Sequence, residues 1–451
     1  MIASITRPLN AQLEITDKCN LRCRHCYHLD SDCERHSQDL SDDQVMELVE
    51  KLIASKVFSV VVTGGEPLVR KGLTKKIIRR LKQEDIDTSL NTNLLLLDRV
   101  SLEDLLACKL DGMLVSCTTS DSELYDLMTR GGNYHQFETK VKMLVTLGQH
   151  FAVNMVVNRH NIGHIRKTAT RMRDIGVKVF GATPMGLNAT NPDLENLLEV
   201  DQVKLLVEDL IWAQEHLNLK TDIFEALPKC VFPAWVRSRD YAFLNRKCQA
   251  GKTIASIANN GDVRACSHNP DVYGNLFNES IESIWSKMGA WRDQRTAPGR
   301  CLGCKLVGSC YGGCRITART FTGDHQGEDP WMDKPLSVND MPQRKVNGLS
   351  LGLDTTLTFA DKLHWRQETE EDYLMSSTRG NRNITMVNRP LLEFAQELRR
   401  LSPISLEHLA RVAGCNPGDA EFQRVLTLLV TRGFVYPQQP GRKEERYVST
   451  I

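Results

Sequence analysis

The sequence has no apolar run that approaches the roughly 20 residues of a membrane span. Its first residues, Met1 to Pro8, also lack the basic and apolar regions of a signal peptide. Net charge is almost absent, because 57 Lys and Arg are balanced by 56 Asp and Glu to give +1. The first two absences predict a cytoplasmic protein without a membrane partner. The third removes the bulk field that would recruit nucleic acid, so a partner must be recognised locally.

Cysteine, in contrast, is plentiful, with 14 residues in a chain of 451. Because the cytosol keeps thiols reduced, we expect few disulfides and predict that metal binding or catalysis explains most of these residues. The chain length predicts roughly two or three domains.

Three cysteines share one short loop. Cys19, Cys23 and Cys26 follow the spacing C-x3-C-x2-C. A [4Fe–4S] cluster normally takes four cysteines, so a loop with three leaves one iron open for a ligand that is not protein. From the spacing alone, a zinc knuckle or three unrelated buried cysteines remain alternatives.

This spacing resembles the signature of radical S-adenosylmethionine (SAM) enzymes. The resemblance implies that Cys19, Cys23 and Cys26 are catalytic and hold a [4Fe–4S] cluster whose open iron binds the amino and carboxylate groups of SAM. It places His25 beside the adenine. It further implies that one electron from the cluster cleaves SAM to methionine and a 5′-deoxyadenosyl radical, which removes a hydrogen atom from the substrate.

Residues from about 10 to 220 alternate between strand and helix patterns. Ser41 to Gln44 has the pattern of a capping box that opens a helix. Strand patterns occupy 11–15, 57–62, 88–93, 112–116, 151–158 and 177–181. Repeated β/α units predict an α/β fold with a parallel sheet, either open and doubly wound or a partial barrel. The resemblance favours a partial (β/α)6 barrel with its ligands at the carboxyl ends of the strands.

The second strand pattern ends in Thr63-Gly64-Gly65-Glu66-Pro67. Two glycines let a backbone approach a ligand closely, and the Glu66 carboxylate can accept hydrogen bonds from an ammonium group. Gly64, Gly65, Glu66 and Pro67 resemble the family's GGEP motif, which contacts the SAM amino group. The resemblance adds Asn93, Ser116 and Arg130 as cofactor-binding residues, although Leu94 and Thr118 stand where the family has glycine and aspartate.

Six further cysteines follow the spacing C-x12-G-x4-C and then C-x2-C-x5-C-x3-C. This pattern resembles the SPASM domain, which holds auxiliary [4Fe–4S] clusters. The resemblance assigns Cys248, Cys266 and Cys314 to the first cluster, and Cys301, Cys304 and Cys310 to the second.

The family's seventh SPASM cysteine is missing here, so one or two auxiliary clusters are expected. The second would use another ligand, such as Asp329 or His325, or be labile or absent. Structural zinc remains an alternative for Cys301 to Cys314. The cysteines outside these patterns are predicted to be mostly small buried residues: Cys33, Cys108, Cys117, Cys230 and Cys415.

After a polar linker at 334–350, strand patterns at 363–367 and 373–376 and a segment at 385–388 lead into three helical stripes and a wing strand at 433–436. This layout predicts a winged helix. Residues 351–451 contain thirteen Lys and Arg and thirteen Asp and Glu, which disfavours DNA binding. The layout resembles PqqD, the peptide-binding chaperone of pyrroloquinoline quinone biosynthesis, and the recognition elements of ribosomally made, post-translationally modified peptides (RiPPs). These modules bind the leader of a precursor peptide as an extra strand.

The predicted domains are a radical SAM barrel at 1–222, a SPASM domain at 223–345 and a PqqD-like winged helix at 346–451. The protein is predicted to be an oxidoreductase that binds a precursor peptide through its leader. It would mature this peptide by carbon–carbon or carbon–sulfur crosslinking. Auxiliary clusters would accept an electron, and a flavodoxin or ferredoxin would supply one. The alternatives are peptide epimerisation, modification of a folded enzyme subunit, and an iron–sulfur sensor that uses its winged helix on DNA.

Overall fold

The computed structural model describes residues 5–27, 39–239, 241–293, 295–334, 336, 352–353, 355–360, 362–377 and 384–438. The chain divides into a large unit, Asn10–Gln343, and a small unit that combines Met1–Leu9 with Arg344–Ser449. The regions expected to form the barrel and the SPASM domain thus fall into one compact unit. Cys33 and most of the expected linker lie outside the described residues.

One sheet runs through the large unit. Its strands are β1 (Asn10–Glu14), β2 (Ser59–Thr63), β3 (Asp87–Thr92), β4 (Gly112–Cys117), β5 (Phe151–Val157), β6 (Val179–Pro184), β7 (Lys220–Asp222), β8 (Ile254–Ile257), β9 (Asp262–Arg264) and β10 (Val272–Asn275). They lie in the order β10-β9-β8-β1-β2-β3-β4-β5-β6-β7. Neighbours from β8 to β7 in this order are parallel, while β9 pairs antiparallel with β8 and β10. The sheet stays open, with β10 and β7 at its edges, and the α/β class with a parallel sheet is confirmed.

The described helices of this unit are α1 (Asp42–Ala54), α2 (Lys71–Gln83), α3 (Arg99–Ala107), α4 (Ser122–Thr129), α5 (Tyr134–Thr146), α6 (Ile165–Ile175), α7 (Val200–Leu217), α8 (Ala234–Arg237), α9 (Ile281–Ser286), α10 (Gly289–Arg292), α11 (Val307–Cys310) and α12 (Arg315–Thr322). Helices α1 to α8 lie between strands of this sheet, and α9 to α12 follow its last strand. The capping box at α1 is confirmed, since Ser41 and Gln44 exchange both hydrogen bonds. Apolar helix residues such as Leu48 and Ile77 pack on fully buried strand residues such as Val60 and Leu90. This core holds the carboxyl ends of the strands in place.

The described part of the small unit contains two antiparallel sheets and three helices. Its elements are β11 (Thr356–Phe359), β12 (His364–Gln367), β13 (Asp372–Ser376), β14 (Ile384–Asn388), α13 (Arg389–Leu401), β15 (Ile404–Ser405), α14 (Leu406–Val412), α15 (Ala420–Thr431) and β16 (Val435–Gln438). The sheet orders are β15-β11-β16 and β12-β13-β14. Leu357, Leu398, Leu429 and Phe434 belong to its separate apolar core.

The expected wing strand therefore lies in β16, which pairs with β11. None of the helices in the described part of the chain is long and apolar enough to cross a membrane.

Candidate active site and auxiliary cluster sites

The loop with Cys19, Cys23 and Cys26 directly follows β1, and all three cysteines are partly exposed and lie outside any disulfide. The loop backbone is fastened to the end of α4. Arg22 N donates to Thr129 O at 3.1 Å, and Arg24 N donates to Met128 O at 2.9 Å. The three thiols therefore stand at the carboxyl end of the sheet, where parallel α/β folds bind their ligands.

Gly64 and Gly65 lie where the end of β2 crosses the cysteine loop. Gly65 N donates to Thr16 O at 2.7 Å, and Glu66 N donates to Lys18 O at 2.8 Å. A Cβ atom at Gly65 would lie 2.4 Å from Lys18 O, and one at Gly64 would lie 2.4 Å from Thr16 O. In this structure the space that the glycines leave is used by the backbone of the cysteine loop, whereas the sequence suggested a ligand.

The Glu66 carboxylate is buried and ties the end of β2 to the end of β3. It accepts hydrogen bonds from Leu68 N at 3.0 Å, Thr92 Oγ1 at 2.8 Å and Asn93 N at 2.7 Å. Burial raises its pKa to about 7, against the opposing effect of these three donors. Both oxygens are thus engaged by the protein itself, and the expected contact with the SAM ammonium group stays a prediction. Pro67 begins the short 3-10 helix Pro67–Arg70.

Of the other expected SAM contacts, Asn93 reaches the cysteine loop. Its Nδ2 donates to Asn20 Oδ1 at 2.9 Å and lies 3.6 Å from Cys19 Sγ. Ser116 is exposed near the carboxyl end of β4. Arg130 is exposed just after α4, where it adopts a left-handed conformation with φ 49°. The last two remain expectations.

His25 has an unused nitrogen. Its Nδ1 is buried and finds no hydrogen-bond partner within the described part of the chain. Burial lowers its pKa to about 4, so the ring is neutral at physiological pH. A neutral aromatic ring with a free nitrogen, set between Cys23 and Cys26, suits a heteroaromatic base such as adenine. The residues at this site therefore fit SAM.

The first auxiliary group consists of Cys248, Cys266 and Cys314. Burial raises the pKa of Cys266 to about 12, and the charge of Cys248 adds to this shift. Cys314 also has a raised pKa, first because of burial and next because of the charges of Glu225, Cys248 and Cys266. The charges of Cys248 and Cys266 thus act on Cys314, and Glu225, a carboxylate that no motif singled out, acts on both Cys266 and Cys314.

The second auxiliary group, Cys301, Cys304 and Cys310, lines one narrow cleft. Cys230 lines the same cleft, although it belongs to the cysteines that were predicted to be mostly small buried residues. Within the described ranges, no three His, Cys, Asp or Glu side chains are close enough together for one metal ion. Cluster ligands stand farther apart, because each binds a different iron.

The two substitutes considered for the missing cysteine lie elsewhere. Asp329 is buried and accepts from Cys314 N at 2.9 Å and from Trp331 N at 3.0 Å. His325 Nε2 lies 3.3 Å from Asp271 Oδ2. Neither residue lines the cleft.

Two models of known families match parts of this chain. Residues 13–172 match the model of the radical SAM superfamily, and residues 248–305 match that of the SPASM iron–sulfur cluster-binding domain. The chain carries a radical SAM domain followed by a SPASM domain. Its cofactors are therefore SAM, the [4Fe–4S] cluster that binds SAM, and auxiliary clusters, as predicted.

Three curated relatives are similar over most of this radical SAM chain. The PqqA peptide cyclase of Bradyrhizobium diazoefficiens is 27% identical over 342 residues, covering 72% of this chain and 85% of the relative. The mycofactocin maturase MftC of Mycobacterium ulcerans is 27% identical over 333 residues, covering 72% and 87%. The AdoMet-dependent heme synthase of Methanosarcina barkeri is 24% identical over 348 residues, covering 73% and 98%.

Solved structures share the fold. Streptococcus suis SuiB bound to its precursor peptide SuiA has a TM-score of 0.59 and 19% identity, covering 72% of this chain and 75% of SuiB. The enzyme anSMEcpe with bound AdoMet and a peptide has a TM-score of 0.57 and 18% identity, covering 72% and 93%. The radical SAM fold is thereby confirmed.

Proposed function

We propose that this radical SAM/SPASM enzyme matures a ribosomally made precursor peptide by closing a carbon–carbon or carbon–sulfur crosslink. The observation that carries the proposal is that one chain combines a three-thiol loop at the strand ends with a separate unit in which β14 is, among the described strands, the edge of a sheet. The PqqA peptide cyclase and the maturase MftC, each 27% identical, support a peptide substrate. So does the likeness in fold to SuiB, which was solved with its precursor peptide.

At the cysteine loop, Cys19, Cys23 and Cys26 would hold the cluster. When bound, this cluster supplies the electron that splits SAM into methionine and a 5′-deoxyadenosyl radical. The chain's own contribution is positioning. The Gly65 and Glu66 amides fix the loop backbone, and the Asn93 amide group reaches the sulfur of Cys19. A flavodoxin or ferredoxin is the proposed source of the electron.

Crosslinking is an oxidation of the peptide. One hydrogen atom leaves the peptide for the deoxyadenosyl group. As the new bond closes, a proton would leave for solvent and one electron would pass to an auxiliary cluster, so the product is lighter by two hydrogens. Epimerisation would instead return a hydrogen atom to the peptide and leave its mass unchanged. The mass of the product therefore separates the two reactions.

The small unit is the proposed leader-binding domain, within the expected bounds 346–451. Among the described strands, β14 pairs with β13 alone, so it forms one edge of its sheet. An extended peptide can add to such an edge through main-chain hydrogen bonds. In the proposed division, residues 1–222 and 223–345 supply the radical SAM barrel and the auxiliary clusters.

The decisive experiment incubates the anaerobically reconstituted enzyme with SAM, a strong reductant and a precursor peptide encoded beside its gene. We expect release of 5′-deoxyadenosine and a peptide lighter by two hydrogens in mass spectrometry. The variant with Cys19, Cys23 and Cys26 changed to Ala serves as the control and should do neither. The peptide proposal would be contradicted if 5′-deoxyadenosine is released while the peptide keeps its mass and takes up no deuterium at carbon from deuterated solvent.

Leader binding is tested with synthetic leaders that carry N-methyl groups on single backbone amides. An added strand presents its amides alternately to the sheet and to solvent. We therefore expect methylation to weaken binding at every second residue and to leave the residues between unaffected. A loss of affinity without this period of two, measured by fluorescence anisotropy, would reject strand addition.

A further inference from the structure

Cys230 lines the second auxiliary site, for which the expected seventh SPASM cysteine is missing downstream. It lies in the short 3-10 helix Lys229–Val231 and lines the cleft together with Cys301, Cys304 and Cys310. All four are free thiols. We propose that Cys230 is the fourth ligand of the second auxiliary [4Fe–4S] cluster, reaching the site from the upstream side of the SPASM motif.

The backbone around Cys230 is fixed against this site. Lys229 N donates to Cys310 Sγ at 3.2 Å. On the other side, Val231 and Phe232 are buried in the apolar core of the large unit. Pro228, which precedes the helix, restricts the backbone further because its ring fixes φ. The Cys230 side chain is thus anchored from both directions rather than carried by a loose loop.

The turn between Cys310 and Cys314 is shaped to receive this upstream segment. Gly313 has φ 89°, and a Cβ atom there would lie 2.8 Å from Pro228 Cδ and 2.5 Å from Asp329 Oδ2. Only glycine allows this approach without displacement. The downstream cysteine motif and the Pro228–Cys230 segment therefore pack against each other and line the same cleft, although they are far apart in sequence.

Backbone amides point at three of the four sulfurs. Asp333 N donates to Cys230 Sγ at 3.4 Å, Leu306 N donates to Cys304 Sγ at 3.4 Å, and Lys229 N donates to Cys310 Sγ. Such hydrogen bonds stabilise thiolates and tune cluster potentials. The buried Cys117 differs, because its thiol donates to Thr119 O at 3.5 Å. Cys230 thus has the surroundings of a ligand sulfur.

Ligation replaces the S–H bond of Cys230 by an Fe–S bond and releases the proton to solvent, with no change in the oxidation state of sulfur. Four protein thiolates would then occupy all four irons. Such a cluster has no open position for a substrate, so its remaining role is electron transfer. This inference holds whether or not the substrate is a peptide.

The first test counts auxiliary iron in a background in which the cysteine trio of the SAM site is replaced by Ala. This background should bind about eight irons after anaerobic reconstitution, because each cubane holds four. Cys230→Ala should lose up to about four of them or show the electron paramagnetic resonance of a three-iron cluster. Cys310→Ala should affect the same signal, whereas Cys415→Ala should leave iron, sulfide and spectrum unchanged.

The proposal is overturned if Cys230→Ala keeps the iron, sulfide and spectrum of its background. It is equally overturned if the background binds about four irons whose loss follows Cys266→Ala and not Cys310→Ala.

A second test needs no substitution and so does not depend on a variant that folds. The natural chain is alkylated with iodoacetamide before and after its iron is removed by a chelator, and each thiol is quantified by peptide mass spectrometry. Cys230 should be protected in the loaded protein and react several-fold faster after removal. The partly exposed Cys415 should react equally in both states. Equal labelling of Cys230 in both states would refute ligation.

Discussion

A buried ion pair in the small unit offers the sharpest prediction about stability. The side chains of Arg366 and Glu368 are both fully buried, and Arg366 Nε lies 2.6 Å from Glu368 Oε1. The remaining guanidinium nitrogens donate to Pro8 O at 2.7 Å and to Arg7 O at 2.6 Å. The other carboxylate oxygen accepts from Thr6 N at 2.8 Å and Thr6 Oγ1 at 2.7 Å. The pair therefore fastens residues 6–8 to β12.

Arg366→Met should destabilise the small unit by about 3–5 kcal/mol, because it leaves the Glu368 charge buried without its partner. Two backbone carbonyls, those of Arg7 and Pro8, would also lose their donor. Each 1.4 kcal/mol changes an opening equilibrium about tenfold. Amides of β12 and β13 that exchange through opening of this unit should therefore exchange at least about a hundredfold faster.

The assay is hydrogen exchange of the loaded protein, followed by mass spectrometry of peptides from 5–9 and 364–388. Arg389→Met is the matched control, because Arg389 and Glu393 are largely exposed at 3.2 Å and such pairs contribute only about 0.5 kcal/mol. Adding Glu368→Leu to Arg366→Met should recover part of the loss, since it removes the unpaired charge. Equal exchange rates in Arg366→Met and Arg389→Met would refute the reasoning.

Two further predictions concern the large unit. Gly65→Ala should prevent cluster assembly and SAM binding, because the added Cβ would meet Lys18 O. Iron content and equilibrium dialysis measure the two effects. The control Gly72→Ala, with no atom within 4 Å of the added Cβ, should retain both and stabilise α2 by about 0.5–1 kcal/mol. A Gly65→Ala protein with full iron would contradict this. Burial raises the pKa of Glu14 to about 7 from 4.5, against the opposing charge of Arg264, so its contribution to stability is present below pH 4.5 and is lost as pH rises through about 7. In thermal unfolding, the free energy of unfolding of the natural chain should therefore fall by up to about 3 kcal/mol relative to that of Glu14→Gln between pH 5 and pH 8. Parallel pH profiles of the two proteins would disprove this coupling.

Much of the large unit was predictable because buried parallel strands are continuous apolar runs. The run at 151–158 became β5, Phe151–Val157, almost unchanged. The run at 177–181 became β6, Val179–Pro184, which extends farther because Thr183 and Pro184 pair with Val156 and Val157. A strand end of this kind depends on the partner strand, which the local sequence does not contain.

Long-range pairing escaped prediction for the same reason. β8 lies beside β1 in parallel register, with Asn10 opposite Ile254 and Leu13 opposite Ile257. Through this pairing, the strands β8 to β10 join the sheet that carries the cysteine loop. The sequence suggested a domain boundary at residue 222, because the alternating β/α pattern ends there. Composition and periodicity report local structure and carry no signal for two strands that meet from opposite ends of a domain.

Cysteine motifs illustrate the same limit at the level of chemistry. Spacing identifies ligands that are close in sequence, such as Cys301, Cys304 and Cys310, because a short loop can bring its own thiols together. A ligand from elsewhere in the chain has no characteristic spacing, and Cys230 was accordingly grouped with the cysteines predicted to be mostly small buried residues. If Cys230 completes the second auxiliary cluster, the first group becomes the one with fewer thiols than irons. Glu225, whose charge acts on Cys314 and Cys266, is then a candidate to close it, and in that case its replacement by Gln would open an iron to exogenous ligands.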